Sequence, residues 1–285
     1  MTVLIASEPV PGLPNQDYAV GSPNAAVVID GAGTPAELPT GCIHGTAWYA
    51  RQLGTELHRS AVNGTDSLEN CLSEAIERTA HLHTGTCDLG DPMTPSATVA
   101  VCRADGQHLD WLVLCDATLV LDSADGPQAV SDHRVSEVTR KQRREMADAL
   151  ESLSPTRRFH ALVRAQREMM NVQEGYWVAA ADPKAAREAI TGTIPLTELS
   201  LAVLLTDGAA RAVDDFRVMD WVDVVALLVS DGPSALLART RELESSDPDR
   251  KRWPRNKKHD DASVAVFHPD RATDRTGPSR HAPPR

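Results

Sequence analysis

The sequence predicts an α+β layered domain, with sheets packed on each other and helices outside. Three observations lead there. Short Val- and Leu-rich runs of strand length recur along the chain and end at Asp, Gly or Pro. Amphipathic stretches of helical period sit between them in groups. The order is strand, two helices, a run of strands, helices, then strands again, which is not the strict alternation of a parallel-sheet fold.

Taken in order, residues 25–29 form the first clear strand, and two helices follow. One covers residues 46–57. The other places Leu68, Leu72, Ala75, Ile76 and Thr79 on a single stripe. Strands are expected at 98–102, 111–115 and 119–121, with Asp105-Gly106 and Asp125-Gly126 as hairpin turns. Helices are expected at 135–150 and 157–170, a strand at 176–180 and another at 201–205. Two more helices, at 215–228 and 233–242, precede a closing strand at 264–267. Residues 245–258 are polar and basic with two prolines and read as a loop. Residues 269–285 lack apolar anchors and are expected to be a disordered tail, leaving 1–268 as the folded domain.

The chain has 285 residues, 41% hydrophobic and 24% charged, enough for a sizeable core. No apolar run reaches the roughly 20 residues that cross a bilayer, and residues 1–14 lack a signal-peptide pattern. A cytoplasmic protein without a membrane partner is therefore expected. Cys42, Cys71, Cys87, Cys102 and Cys115 are odd in number and have no CxxC spacing. Neither a disulfide framework nor a zinc site is expected from them. The net charge of −11 is uneven: residues 1–249 carry −17 and residues 250–285 carry +6. An acidic body argues against nucleic acid as a partner and suits carboxylates that recruit divalent cations.

The aspartates carry the chemical signal. Asp30 follows Ala-Ala-Val-Val-Ile and precedes Gly31; Asp207 follows Ala-Val-Leu-Leu-Thr and precedes Gly208. Asp260 stands just before the last strand, and Asp17 just before a short apolar stretch. A carboxylate at the end of a buried strand needs pairing or a metal to offset desolvation. A single Asp-Gly is more often a turn than a ligand. Several carboxylates converging without histidine or thiolate favour hard ions, Mg²⁺ or Mn²⁺.

In order, these motifs resemble the metal-dependent protein phosphatase family, the protein phosphatase 2C class, in its bacterial branch. Asn15-Gln16-Asp17, Val27-Val28-Ile29-Asp30-Gly31-Ala32-Gly33, Pro95-Ser96-Ala97-Thr98-Val99 and Leu114-Cys115-Asp116-Ala117 are similar to its successive elements. So are Val130-Ser131-Asp132-His133, Leu204-Leu205-Thr206-Asp207-Gly208 and Asp260-Asp261-Ala262-Ser263-Val264. The resemblance implies two packed antiparallel β-sheets flanked by helices, an α-β-β-α sandwich. It implies hydrolysis of phosphoserine or phosphothreonine in a phosphorylated protein substrate by a water that two Mn²⁺ or Mg²⁺ ions activate. Asp30 would bridge the ions, aided by the Gly31 carbonyl; Asp207 and Asp260 would hold the first and Asp17 the second. Asp116 with Asp207 would form a weaker third site. No protein nucleophile is implied, in keeping with the absence of a Cys-x5-Arg loop.

The departures carry their own expectations. Residues 10–14 hold no basic residue where the family places a phosphate-clamping Arg. The cluster Arg250, Lys251, Arg252, Arg255, Lys257 and Lys258 is a substitute, with Arg255, Lys257 and Lys258 expected to face the phosphate; a solvated loop is the alternative. Ala32 replaces a His of eukaryotic members, as in the bacterial branch. His44 reads as a surface helix residue, and Asp261, replacing the usual Asn, either strengthens metal binding or lies on the surface. Nine Lys and Arg residues between 134 and 167 read as a solvated helix face. The tryptophans are core positions, with Trp253 placed to face substrate. The competing reading is a catalytically weak or inactive module that binds a phosphoprotein as a regulator. An aspartyl-nucleophile phosphohydrolase would need an Asp-x-Asp motif, which Asp30-Gly31-Ala32 does not supply.

Overall fold

A computed structural model describes residues 1–35 and 37–270. Two five-stranded antiparallel sheets pack face to face with helices on both outer surfaces. The first sheet has the order β1(Thr2–Glu8), β10(Ala262–His268), β9(Leu199–Leu205), β6(Thr118–Ser123), β7(Gly126–Val130). The second has β2(Tyr18–Ser22), β3(Ala25–Ala32), β4(Ser96–Ala104), β5(His108–Leu114), β8(Ile190–Pro195). The expected sandwich is therefore present.

Strand alternation builds the layers. Inward residues Ala26, Val28, Ala100, Val113, Leu119, Leu204, Ala265 and Phe267 meet between the sheets. On β3 and β4 the intervening Val27, Ile29, Val99 and Val101 pack beneath α1(Thr46–Asn63) and α2(Leu68–His83). Val203, Leu205, Val264 and Val266 pack against α7(Trp221–Asp231) and α8(Pro233–Ser246) on the opposite side. Both faces of the central strands are buried, which is why they read as unbroken apolar runs rather than alternating ones.

Several elements differ from the sequence reading. Strands β1, β2, β7 and β8 are additional; their faces are partly exposed, so their apolar pattern is weak. Residues 176–180 do not form a strand and make only single bridges, Tyr176 to Met170 and Ala179 to Ala97. The helix expected at 135–150 divides into α3(Arg134–Glu145) and α4(Ala147–Glu151), followed by α5(Pro155–Glu168), which Ser154 caps at Arg157. The helix expected at 215–228 is α7, preceded by the separate α6(Asp207–Asp214). Asp105-Gly106 and Asp125-Gly126 are hairpin turns, with positive φ at both glycines. Of the expected tail, residues 271–285 lie outside the described residues.

Strand register positions the chemistry. Tyr18 pairs with Ile29, Asp30 with Thr98, and Val99 with Leu114. In the other sheet Leu205 pairs with both Val264 and Thr118. Asp30 and the residues just beyond these pairs, Asp17, Asp116, Asp207 and Asp260, therefore emerge at the same end of the sandwich.

Candidate active site

At that end lies a cleft of about 510 Å³ whose lining includes Asp30, Gly31, Asp116, Asp207, Lys257, Asp260 and Asp261. Helices α3 and α5 lean over one side and contribute Val135, Phe159, Val163 and Arg167. Local geometry aims each carboxylate. Asp207 opens α6, where unpaired backbone N–H groups favour negative charge. Asp116 follows Cys115, whose φ of 64° turns the chain sharply between β5 and β6. The Cys115 carbonyl accepts the Asp132 N–H at 3.1 Å, tying that turn to the start of α3. Asp17 lies behind the cleft lining and accepts the Thr206 hydroxyl at 2.9 Å.

Two glycines permit the convergence. A Cβ at Gly31 would lie 2.3 Å from the Gln16 carbonyl oxygen, and one at Gly208 would lie 1.9 Å from that of Asp261. Only a hydrogen fits at either contact.

Electrostatics set this cluster apart. Burial, and then the charge of Asp207, push Asp30 well above the ordinary carboxylate range. Asp17 is raised well by burial despite its Thr206 bond, with Asp207 adding to the rise. Burial and the neighbouring Asp207 push Asp116 up to about 7. Asp207 is raised by burial and by Asp260. Four desolvated acids repelling one another form a donor set that fits a bound cation: a divalent ion relieves both the burial cost and the repulsion. All donors are oxygens, which suits Mg²⁺ or Mn²⁺.

Asp260 is neutralised within the chain. Its carboxylate accepts Arg211 at 2.7 Å and Lys257 at 2.9 Å. Arg211 also bonds Glu244 at 2.7 Å, and Glu244 in turn accepts Arg241 at 2.7 Å and His259 at 2.8 Å.

The basic loop divides. Lys257 reaches the cleft. Arg255 does not: its buried guanidinium is paired with Asp247 at 2.9 Å and packed over Phe216, so it holds the loop together. Lys258 is exposed and outside the cleft lining. Trp253 is also diverted from substrate, packing on Phe216 beneath Arg252. Asp261 is not a surface acid; it is buried and accepts the backbone N–H of Val10 at 2.7 Å and of Gln16 at 2.9 Å. It ties down the segment that would otherwise carry the clamping arginine. His44 precedes α1 instead of lying on it and stacks on Trp48.

Arg167 was hidden in the sequence among the basic residues of a solvated face. It is buried, and donates to the Ala32 and Gly33 carbonyls at 2.8 Å each, to the Ser96 hydroxyl at 3.0 Å and to the Thr94 carbonyl at 3.3 Å. It thereby braces α5 against the end of β3. One signal could have found it: Arg167 follows Phe159 and Val163 at intervals of four, on the apolar stripe of α5.

The family model of protein phosphatase 2C matches residues 7–240. The chain belongs to the protein phosphatase 2C family. Among solved structures, the catalytic domain of the serine/threonine phosphatase PstP in complex with 2 manganese ions is similar at 14% identity. It covers 93% of this chain and 96% of its own, with a TM-score of 0.55. Stp1 of Staphylococcus aureus aligns at 12% identity over 93% and 94%, with a TM-score of 0.55. PppA, a key regulatory component of T6SS in Pseudomonas aeruginosa, aligns at 18% identity over 93% and 96%, with a TM-score of 0.50. At these identities the likeness is one of fold. No curated protein matches the sequence.

Proposed function

We propose that the protein hydrolyses phosphoserine or phosphothreonine in proteins, using two Mn²⁺ or Mg²⁺ ions. The observation that carries this reading is the gathering of Asp17, Asp30, Asp116, Asp207 and Asp260 at one end of the sandwich, with four of them driven toward protonation by burial and mutual repulsion. Asp30 would serve both ions, with the Gly31 carbonyl completing one of them; Asp207 and Asp260 would hold the first, and Asp17 would serve the second. Asp116 beside Asp207 supplies a weaker third position. When bound, the ions supply an activated water and positive charge for in-line attack on phosphorus.

The remaining residues position the substrate. Lys257, the cleft-lining cation nearest Asp260, would attract the phosphate in place of the missing N-terminal arginine. Leu13 and Phe159 line the cleft yet remain 60% and 47% exposed, an apolar rim suited to the residues flanking a phosphorylated side chain. This favours a protein over a small phosphate ester.

One observation favours the competing reading of a phosphoprotein-binding regulator. Arg211 and Lys257 between them occupy both oxygens of Asp260, so an ion must compete for that ligand. Hydrolysis of para-nitrophenyl phosphate with added Mn²⁺ separates the two. Turnover that needs Mn²⁺ and disappears in Asp207→Asn supports the enzyme; no turnover at saturating Mn²⁺ supports the regulator.

A further inference from the structure

On the second-sheet side of the molecule, away from the aspartate cleft, four side chains meet that the phosphatase reading does not use. Cys42 and His44 lie in the connection between β3 and α1; His83 ends α2, and Cys87 lies in the loop after it. One donor atom from each lies within 4.8 Å of all the others. Cys42 Sγ is 3.6 Å from His83 Nδ1 and 3.8 Å from His44 Nδ1, and Cys87 Sγ is 3.3 Å from His44 Nδ1. We propose that Cys42, His44, His83 and Cys87 bind one structural Zn²⁺ ion.

These three distances match those of a mononuclear tetrahedron. Zinc bonds of about 2.0 Å to nitrogen and 2.3 Å to sulfur place neighbouring ligand atoms about 3.3 to 3.8 Å apart. Two thiolates with two imidazoles form a soft and borderline donor set that selects zinc and rejects the hard ions suited to the carboxylate cleft. Four protein ligands leave no open position, which defines a structural site. The backbone prepares the sulfurs for negative charge: the His44 N–H donates to Cys42 Sγ at 3.3 Å and the Ile43 N–H to Cys87 Sγ at 3.4 Å. On binding, each thiol releases its proton to solvent and the imidazoles bind neutral. The cluster is partly screened from water, with Cys42 and His83 buried, His44 stacked on Trp48 at 4.2 Å, and the Trp48 ring edge-on to His83 at 4.7 Å.

The position explains what the ion would do. Among the described residues, the connections 33–45 and 84–95 are both long and hold no helix or strand of their own. Structureless connections of about this length are uncommon inside a compact domain. Few of their side chains enter the core, and the two are joined by the Asp88 N–H to Gly41 carbonyl bond at 2.8 Å. A zinc ion would close them together as a staple. The first connection begins at Gly33, whose carbonyl accepts Arg167, and the second contains Thr94, whose carbonyl accepts the same guanidinium. The staple would thus hold one wall of the aspartate cleft from behind.

The spacing Cys-x-His and His-x3-Cys, separated by 38 intervening residues, contains no CxxC pair. That is why the cysteines gave no zinc signal in the sequence.

The test measures metal in the full chain purified without chelator. Elemental analysis should find about one zinc per chain, retained through dialysis against Mn²⁺. Titration with an organomercurial should release it in step with loss of two thiolates, read with a zinc-binding dye. Growth with Co²⁺ in place of zinc should give the visible bands of tetrahedral thiolate-bound cobalt. The Cys42→Ser/Cys87→Ser variant should lose the zinc, whereas Cys71→Ser, a buried cysteine outside the cluster, should keep it. Zinc-free protein with both thiols freely reactive, iron in place of zinc, or a Cys42–Cys87 disulfide in the purified chain would each overturn the proposal. None of these readouts depends on phosphatase activity, so the zinc site and the aspartate cleft stand or fall separately.

Discussion

Arg211 holds Asp260 at 2.7 Å with one guanidinium nitrogen while the other holds Glu244 at the same distance. The pair links a cleft carboxylate to a network centred on the fully buried Glu244 that includes the partly buried Arg241 and His259. Burial opposes the charge on Glu244, but His259, Arg241 and Arg211 outweigh it and hold the carboxyl below its ordinary range.

Glu244→Ala would remove the buried carboxylate that Arg211 and Arg241 share and should destabilise the fold by about 3 kcal/mol, measured by urea unfolding. The sign of its pH dependence follows from the lowered value. The contribution is present above the ordinary carboxylate pKa and is lost as pH falls through the folded one. The variant should therefore show a shallower loss of stability on the acid side than the parent. An equal slope in both would remove Glu244 from the account.

Gly208→Ala should damage the site through the backbone. The added methyl meets the Asp261 carbonyl oxygen at 1.9 Å, so the segment carrying Asp260 has to move. A stability loss of about 1–3 kcal/mol is expected, together with weaker Mn²⁺ binding in calorimetry. A variant with parental Mn²⁺ affinity would show that this close contact does not position the ligands.

Lys257 and Arg255 should behave differently although both belong to the basic loop. Lys257→Gln should raise KM for a phosphopeptide about three- to fivefold, the scale of a partly exposed charge contact, with little change in Tm. Arg255→Gln should lower Tm, since it breaks the buried pair with Asp247, and leave KM of the folded enzyme unchanged. The reverse pattern would place the phosphate contact at Arg255 after all.

Phe159→Ser tests the apolar rim. It should raise KM for a phosphopeptide about tenfold, from lost apolar contact, and leave para-nitrophenyl phosphate kinetics unaltered. Equal effects on both substrates would mean that Phe159 supports α5 and does not contact the peptide.

The layered fold was legible because its central strands are apolar on both faces; the runs around Val27, Val101, Val203 and Val264 stand out without tertiary information. The edge strands β1, β2, β7 and β8 were not, since exposed residues such as Thr191 and Gln128 carry little periodic signal. At the cleft, the strand-end positions of Asp30, Asp207 and Asp260 could be read from their neighbours. The role of Asp261 could not, because it depends on two backbone N–H groups about 250 residues away. Arg255 illustrates the converse: composition marks a charge but not its direction, and Asp247 turns it inward. The meeting of Cys42 and His44 with His83 and Cys87 depends on how two long loops fold back, which no local spacing rule encodes.

The central claim is that Asp30, Asp207, Asp260 and Asp17 hold two hard cations. Anomalous diffraction from crystals grown with Mn²⁺ tests it most directly. Two manganese peaks are expected in the cleft, both beside Asp30, with Arg211 or Lys257 withdrawn from Asp260. A cleft without manganese at saturating concentration, with Asp260 still paired to Arg211 and Lys257, would contradict it.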